Sequence, residues 1–262
     1  MGDKRKTALV TGACINTGVA IVEKLAAEGY NVVFTGRSAD KVKKKEREYR
    51  EKFPDTEIVG YAINSLCESG EVDVTSVKEL FGDLDNRGIF VETLVLNAAD
   101  QGLGQKIFES PISDFLKVMN TNVTWNLCLS EEAARRMKEH GGGNIVFVNS
   151  NTAYRAIPDR VAYVTSKGGQ LGLMRALALD LGKYNIRVNA ILPGMIKTDR
   201  WEKNPDFYRD VPSRFTPLGD VAVGEDVADA VYYLAAHARN TTGAELVLDG
   251  GNTIQLYPII PK

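Results

Sequence analysis

Short apolar runs alternate with helical patterns along the whole chain. Ala8–Thr11, Asn31–Thr35 (NVVFT), Thr56–Ile63, Val91–Leu96 (VETLVL), Asn144–Asn149 (NIVFVN), Ile186–Ile191 and Ala244–Leu248 are short, rich in β-branched side chains and nearly continuous in apolar character. A strand with one wet face would alternate, so these runs predict strands covered on both faces. Between them lie helical stretches. Gly18–Glu28 carries Val19, Val22, Leu25 and Ala26 at helical spacing and stops at Gly29. Ser38–Lys52 is dense in Lys, Arg and Glu, with Val42 and Tyr49 as its few apolar positions; the interspersed signs predict a solvated outer helix face rather than a nucleic-acid stripe. Further helices fit Val77–Asp85, Ser113–Val118, Val123–Lys138, Val161–Leu181 and Glu225–Ala236. This alternation predicts an α/β protein, a doubly wound parallel sheet of seven strands with right-handed crossovers. With no repeat, low-complexity stretch or linker in sight, the chain reads as one domain.

Composition narrows the class. The 262 residues are long enough to bury a core without disulfide or metal staples. Lys and Arg number 32 against 34 Asp and Glu, a balance that leaves no footprint for nucleic acid or an anionic membrane. Cys14, Cys67 and Cys128 lie far apart without a CxxC pair and read as packed, reduced thiols of a cytosolic chain. Two histidines, His140 and His237, argue against a zinc site, and no metal is expected. Lys4, Arg5 and Lys6 are followed by TALVTG, which is too short and too polar for a signal-peptide core. No apolar run approaches the roughly 20 residues of a membrane span. The expectation is a soluble cytoplasmic protein.

Two stretches carry chemistry. The first strand runs into Thr11-Gly12-Ala13-Cys14-Ile15-Asn16-Thr17-Gly18 and then a helix. Gly12 permits a tight turn, Gly18 lets backbone approach a phosphate, and the helix N-terminus supplies N–H donors for an anion. The second strand ends Phe34-Thr35-Gly36-Arg37-Ser38. A carboxylate there would bind both ribose hydroxyls of NAD; instead Arg37 offers a planar fork suited to a 2′-phosphate, which favours NADP(H), with NAD the alternative. The second stretch is Tyr163-Val164-Thr165-Ser166-Lys167, with Ser150 thirteen residues upstream at a strand end. Positions i and i+4 share a helix face, so Tyr163 and Lys167 project into the same space. An ammonium beside a phenol favours the phenolate, which makes a general acid/base without histidine. Ser150 can hold the substrate oxygen beside Tyr163.

These residues resemble the short-chain dehydrogenase/reductase family, over nearly the whole chain from about Lys6 to Gly251. TGACINTG looks like that family's TGxxxGxG, and Asn97-Ala98-Ala99 like its NNAG. Asn122 in NVTW falls where the catalytic-tetrad asparagine sits, ahead of Ser150, Tyr163 and Lys167. Pro193-Gly194, Ile196 and Thr198 match the PGxxxT segment, and Thr242-Gly243 with Asp249-Gly250-Gly251 match the TG…DGG ending. The resemblance implies a Rossmann-like fold and a dinucleotide held by Gly12, Asn16, Thr17, Gly18, Arg37, Asn97, Ala98, Ala99, Tyr163, Lys167, Pro193, Gly194, Ile196 and Thr198. It also implies that Lys167 binds the nicotinamide ribose and that Asn122 holds a water linking Lys167 to solvent. Asp73-Val74-Thr75 fits the family's adenine-contacting DVT, although Asn64 follows the preceding strand more directly; Asp73 and Val74 are preferred. Asn16 stands where the family has glycine, and its tolerance of left-handed backbone should preserve the loop. In NNAG the final glycine is replaced as well.

Asp199–Leu218 contains Trp201, Phe207, Tyr208 and Phe215 among charges and three prolines and reads as a substrate lid. Its aromatics either line an apolar pocket or pack a small core of their own. The C-terminal tail, 252–262, includes the apolar Ile254–Ile260 and is expected at a subunit interface. By resemblance, Val123–Lys138 and Val161–Leu181 form a dimer contact within a homotetramer. The expected activity is hydride transfer between NADP(H) and a small-molecule secondary alcohol or ketone. A bulky hydroxy compound such as a hydroxysteroid ranks ahead of a 3-oxoacyl thioester, and both rank ahead of sugars and polyols. The rival from another class is a dinucleotide-binding regulator without catalysis; the complete set Asn122, Ser150, Tyr163 and Lys167 argues against it.

Overall fold

Seven strands, β1 (Thr7–Val10), β2 (Asn31–Gly36), β3 (Ile58–Ala62), β4 (Thr93–Leu96), β5 (Gly143–Val148), β6 (Ile186–Pro193) and β7 (Glu245–Leu248), form one sheet in the order β3-β2-β1-β4-β5-β6-β7. Every neighbouring pair is parallel, and Val10 of β1 lies between Phe34 of β2 and Val95 of β4. The computed structural model describes residues 5–259; the side chains of Arg200 and Phe207, and the tail from Ile260 onward, lie outside the described residues. The strand order reverses direction at β1 and β4, which opens a crevice above their C-terminal ends.

Each face of the sheet is covered by helices that the apolar spacing predicted. On one face α1 (Asn16–Ala27), α2 (Ala39–Lys52) and α10 (Gly224–Tyr232) bury Ile21, Leu25, Tyr49 and Val231 against Phe34 and Ile191. The mostly charged α2 does this with only Val42 and Tyr49, and the Tyr49 hydroxyl donates to the Ala13 carbonyl at 2.7 Å. On the other face α3 (Val74–Asn86), α5 (Trp125–Glu139) and α6 (Val161–Leu181) bury Phe81, Trp125, Leu129 and Met174 against Leu94 and Phe147.

Three local expectations change. The helix α4 (Ile112–Met119) does not end before the next one: a π turn at Asn120–Thr124 joins it to α5, and the wider turn seats Asn122 in the interior. Helix α3 starts three residues earlier than Val77 because Asp73 is its N-cap, accepting from the Ser76 amide at 3.0 Å. The segment after β6 folds into α7 (Asp199–Lys203), α8 (Pro205–Tyr208) and α9 (Val211–Phe215). Pro205 and Pro212 fall in the first turns of α8 and α9, where proline's missing N–H is harmless. Of the two roles open to its aromatics, the second is seen for Trp201 and Tyr208, which stack on each other with ring centroids 4.4 Å apart.

Phe81 is fully buried between α5 and the sheet. Phe81→Ala is therefore expected to lower the unfolding free energy by about 3–5 kcal/mol through lost burial plus a cavity, measured by urea denaturation.

Candidate active site

The loop after β1 is shaped by contacts that tolerate no side chain. At Gly12, with φ at +66°, a Cβ would lie 2.9 Å from the Ala98 Cα; at Gly18 it would lie 2.5 Å from the Gly12 carbonyl oxygen. Asn16 adopts φ +48°, the left-handed backbone expected of it. The end of β4 is tied to this loop. The Asn97 side-chain amide donates to the Thr11 and Gly12 carbonyls at 2.9 and 3.2 Å, and the Ala98 amide donates to the Thr11 hydroxyl at 3.0 Å. Asn97 thus fixes the loop's shape.

Helix α1 opens onto a cleft of about 570 Å³ that Gly12, Asn16, Thr17, Gly18, Arg37, Asn97, Ala98, Ala99, Tyr163 and Lys167 all help to line. Its N-cap, Ile15, makes no side-chain cap bond, and its first turn holds no acidic residue. Those first-turn N–H groups and the close backbone approach at Gly12 and Gly18 fit a phosphate-bearing dinucleotide. Arg37, Ser38 and Lys41 line the cleft where β2 passes into α2. Lys41 escaped sequence reasoning because the charges around it read as one solvated face. Its distance of four residues from Arg37 was the available signal.

The second wall comes from β5 and α6. Ser150 follows β5 as N-cap of a 3₁₀ turn, Asn151–Ala153, and is buried. Its hydroxyl accepts from the Thr152 amide at 3.2 Å and lies near enough to the Tyr163 phenol to favour its ionised form. Lys167 lies one turn along α6, only 2% exposed, with Nζ 5.6 Å from the Tyr163 ring centroid. Burial pushes the Lys167 amine down to about 7 and pushes the Tyr163 phenol up; the Ser150 hydrogen bond and Arg160 oppose the latter. Burial therefore works against the lowered phenol that spacing alone predicted. The device can function only if Lys167 keeps its proton, and Nζ donates to the Val148 carbonyl at 3.0 Å and the Gln170 carboxamide oxygen at 3.2 Å.

Asn122 sits behind this wall, fully buried. Its side chain accepts from the Asp100 amide at 2.7 Å and donates to the Asp100 carbonyl and Ser166 hydroxyl at 2.8 and 2.9 Å. Its backbone carbonyl accepts from Gln170 at 2.6 Å and Asn126 at 2.9 Å. Both lone pairs of that oxygen are thereby engaged. Gln170 was missed in the sequence; a lone amide on the buried face of α6 was its signal.

Other expected contacts fall elsewhere. Asp73 and Val74 cap and begin α3 away from the cleft wall, whereas Asn64, directly after β3, lines it. The helix claims the Asp73 carboxylate as its cap, which corrects the preference for Asp73. Pro193 ends β6, the Gly194 amide donates to Leu248 at 2.9 Å, Ile196 pairs with Ala222, and the Thr198 carbonyl accepts from Trp201 at the start of α7. These four lie at and after the end of β6, on the C-terminal edge of the sheet, and do not line the cleft. Among the described residues no group of three His, Cys, Asp or Glu is placed to hold a metal, and no helix is long and apolar enough to cross a membrane.

A phosphate cradle at the switch point of a parallel sheet, beside a serine–tyrosine–lysine cluster, defines a nicotinamide-dinucleotide oxidoreductase site. A family model described as enoyl-(acyl carrier protein) reductase matches residues 12–253. The chain is 33% identical over 250 residues to a 3α-hydroxysteroid dehydrogenase of Mediterraneibacter gnavus, covering 94% of this chain and 96% of the relative. It is 31% identical over 247 residues to a 3-oxoacyl-[acyl-carrier-protein] reductase of Rickettsia prowazekii, covering 94% and 96%. The structure of L-sorbose reductase from Gluconobacter frateurii complexed with NADPH and L-sorbose superposes with a TM-score of 0.87 at 25% identity, covering 98% and 99%. The chain belongs to the short-chain dehydrogenase/reductase family. It is an oxidoreductase that acts on hydroxyl or ketone groups with a nicotinamide dinucleotide.

Lys167 makes stability depend on pH. Its folded value, about 7, lies below its ordinary 10.5, so across that window the unfolded chain holds the extra proton and stability rises with pH. Below about 7 the penalty of burying the ammonium is fully present. Lys167→Met removes it. The Tm difference, variant minus wild type, should be most positive at pH 6–7 and should narrow toward pH 10 in a circular-dichroism series; a gap independent of pH would contradict this.

Proposed function

We propose that the protein interconverts a secondary alcohol and a ketone with NADP(H), using Tyr163 as general acid/base. The observation that carries this is Tyr163 with Lys167 on the wall of the cleft that the glycine loop opens, with Ser150 buried beside the phenol. The cofactor, when bound, supplies or accepts the hydride. Ser150 holds the substrate oxygen next to the phenol. Tyr163 gives that oxygen a proton in reduction and takes one from the alcohol in oxidation. Lys167 stabilises the phenolate so formed, and Asn122 anchors the segment Asp100 belongs to. General acid/base catalysis of this kind is worth about 10²–10⁴-fold, so Tyr163→Phe should lose that much kcat while NADPH binding, followed by nicotinamide fluorescence, stays within about threefold.

Arg37, with Ser38 and Lys41 beside it and no carboxylate at the end of β2, supports NADP(H) over NAD(H). Arg37→Leu is expected to weaken NADPH binding about tenfold, equivalent to 1.4 kcal/mol, and to leave NADH binding unchanged. Equal loss of both would deny Arg37 the 2′-phosphate, and no loss of either would make it an ordinary surface residue.

For substrate, the proposal is a bulky apolar hydroxy compound such as a hydroxysteroid, supported by the 3α-hydroxysteroid dehydrogenase among the relatives. The 3-oxoacyl-[acyl-carrier-protein] reductase relative makes a 3-oxoacyl thioester the second reading. Turnover of a panel of steroid ketones, 3-oxoacyl thioesters and ketoses decides between them; reaction of thioesters or ketoses alone would remove the steroid reading.

A cytoplasmic homotetramer remains our proposal for its state. Exposed Ile107, Phe108, Ile112 and Leu116 around α4, Leu179 on α6, and Ile254, Leu256 and Tyr257 on the tail support association of copies, since together they leave much apolar surface in water. Light scattering of the purified protein measures it directly.

A further inference from the structure

Gln170 stands on the buried face of α6, among Ala162, Leu171, Met174 and Ala178, and is only 1% exposed. A carboxamide in such a place is unfavourable unless both of its ends are hydrogen-bonded. Both are. Its oxygen accepts from Lys167 Nζ at 3.2 Å and from the Asn149 side-chain amide at 3.1 Å; its nitrogen donates to the Asn122 carbonyl at 2.6 Å. The partners dictate which end is which, because Nζ and the Asn149 amide only donate and the carbonyl only accepts. One side chain thereby joins Lys167, the strand end that carries Ser150, and the π turn that carries Asn122.

We propose that Gln170 is a positioning residue for the reaction, its carboxamide holding Lys167 Nζ against the cleft wall and bridging it directly to the Asn122 carbonyl. The proposal rests on the acid/base reading of Tyr163 and Lys167. An ammonium carries three protons. The Val148 carbonyl and Gln170 oxygen take two of them, which leaves the third to point toward the cleft that Lys167 lines. Both acceptors also favour the charged amine in a place where burial disfavours it. The bridge conducts no proton, since an amide does not release one near neutrality. The titratable groups near this cluster are Tyr163 on the same helix, Arg160 just ahead of it, and Asp100, whose backbone hydrogen-bonds the Asn122 side chain; Val148 at the end of β5, Asn149 and Ser150 after it, and Asn122 from the π turn are uncharged.

The test reads Lys167 itself. In full-length protein labelled at lysine Cε, the Lys167 resonance is assigned by its disappearance in Lys167→Met, and its titration is followed by NMR. Gln170→Met, which keeps the volume and loses the acceptor, should lower the Lys167 midpoint by about one pH unit, and Gln170→Glu, which adds a carboxylate, should raise it by at least about as much. A residue that only filled space would not move the midpoint in opposite directions. Should Gln170→Met fail to fold, the Glu variant alone decides. Midpoints unchanged from wild type in the folded variants would overturn the proposal. In turnover, Gln170→Met should lower kcat about tenfold or more near pH 7, with KM within about twofold, because transition-state charge and not substrate binding is affected. The NMR titration needs no substrate. The acid/base reading falls separately, if Tyr163→Phe keeps full activity.

Discussion

The parallel pairing of β1 with β2 on one side and β4 on the other is the constraint on which the rest of the molecule depends. Two strands that leave the same neighbour in opposite directions cannot have their following loops cross above it, so a crevice must open there. The end of β4 then lies against the loop after β1, close enough that a methyl group on Gly12 would strike Ala98. Hydrogen bonds from Asn97 and Ala98 lock that approach. The first turn of α1, left without side-chain caps, faces the same space. Anion recognition is thus built from backbone, and the sheet sets where that backbone goes.

Across the crevice the problem is electrostatic. Tyr163 and Lys167 work as an acid/base pair only if one of them is charged, yet the interior that excludes water from the reaction disfavours charge on both. The structure answers with uncharged dipoles. Val148 and Gln170 present oxygens to the ammonium, Ser150 meets the phenol, and Asn149 and Asn122 fix those groups in turn. Carboxylates would stabilise the ammonium more strongly, but they would also cancel its field at the phenol. A network of hydrogen-bonded amides avoids that cancellation.

Much of this was legible in residue order. Continuous β-branched runs marked all seven strands because a doubly covered parallel strand has no polar face to interrupt them. The glycine loop and the Tyr163/Lys167 spacing were readable because their geometry is local: a turn in one case, one helical turn in the other. Asp73 was ambiguous for an equally local reason, since the same carboxylate serves as an N-cap. The prolines of the segment after β6 suggested a loop, yet proline begins a helix as readily as it ends one.

By itself, then, the sequence determined the strands and the main helices, their order, the sheet's parallel character and the shared helix face of Tyr163 and Lys167. Those are properties of periodicity and of spacing within a few residues. The tertiary structure alone decided what distant segments do to one another. It placed Asn64 rather than Asp73 on the cleft wall and brought Gln170 to the Asn122 carbonyl. Gln170 and Asn122 are 48 positions apart, and no short-range rule joins them. Hydrogen-bond partners across such a distance exist only once the sheet and α6 have been packed, because burial is what makes an amide seek a partner in the protein rather than in water.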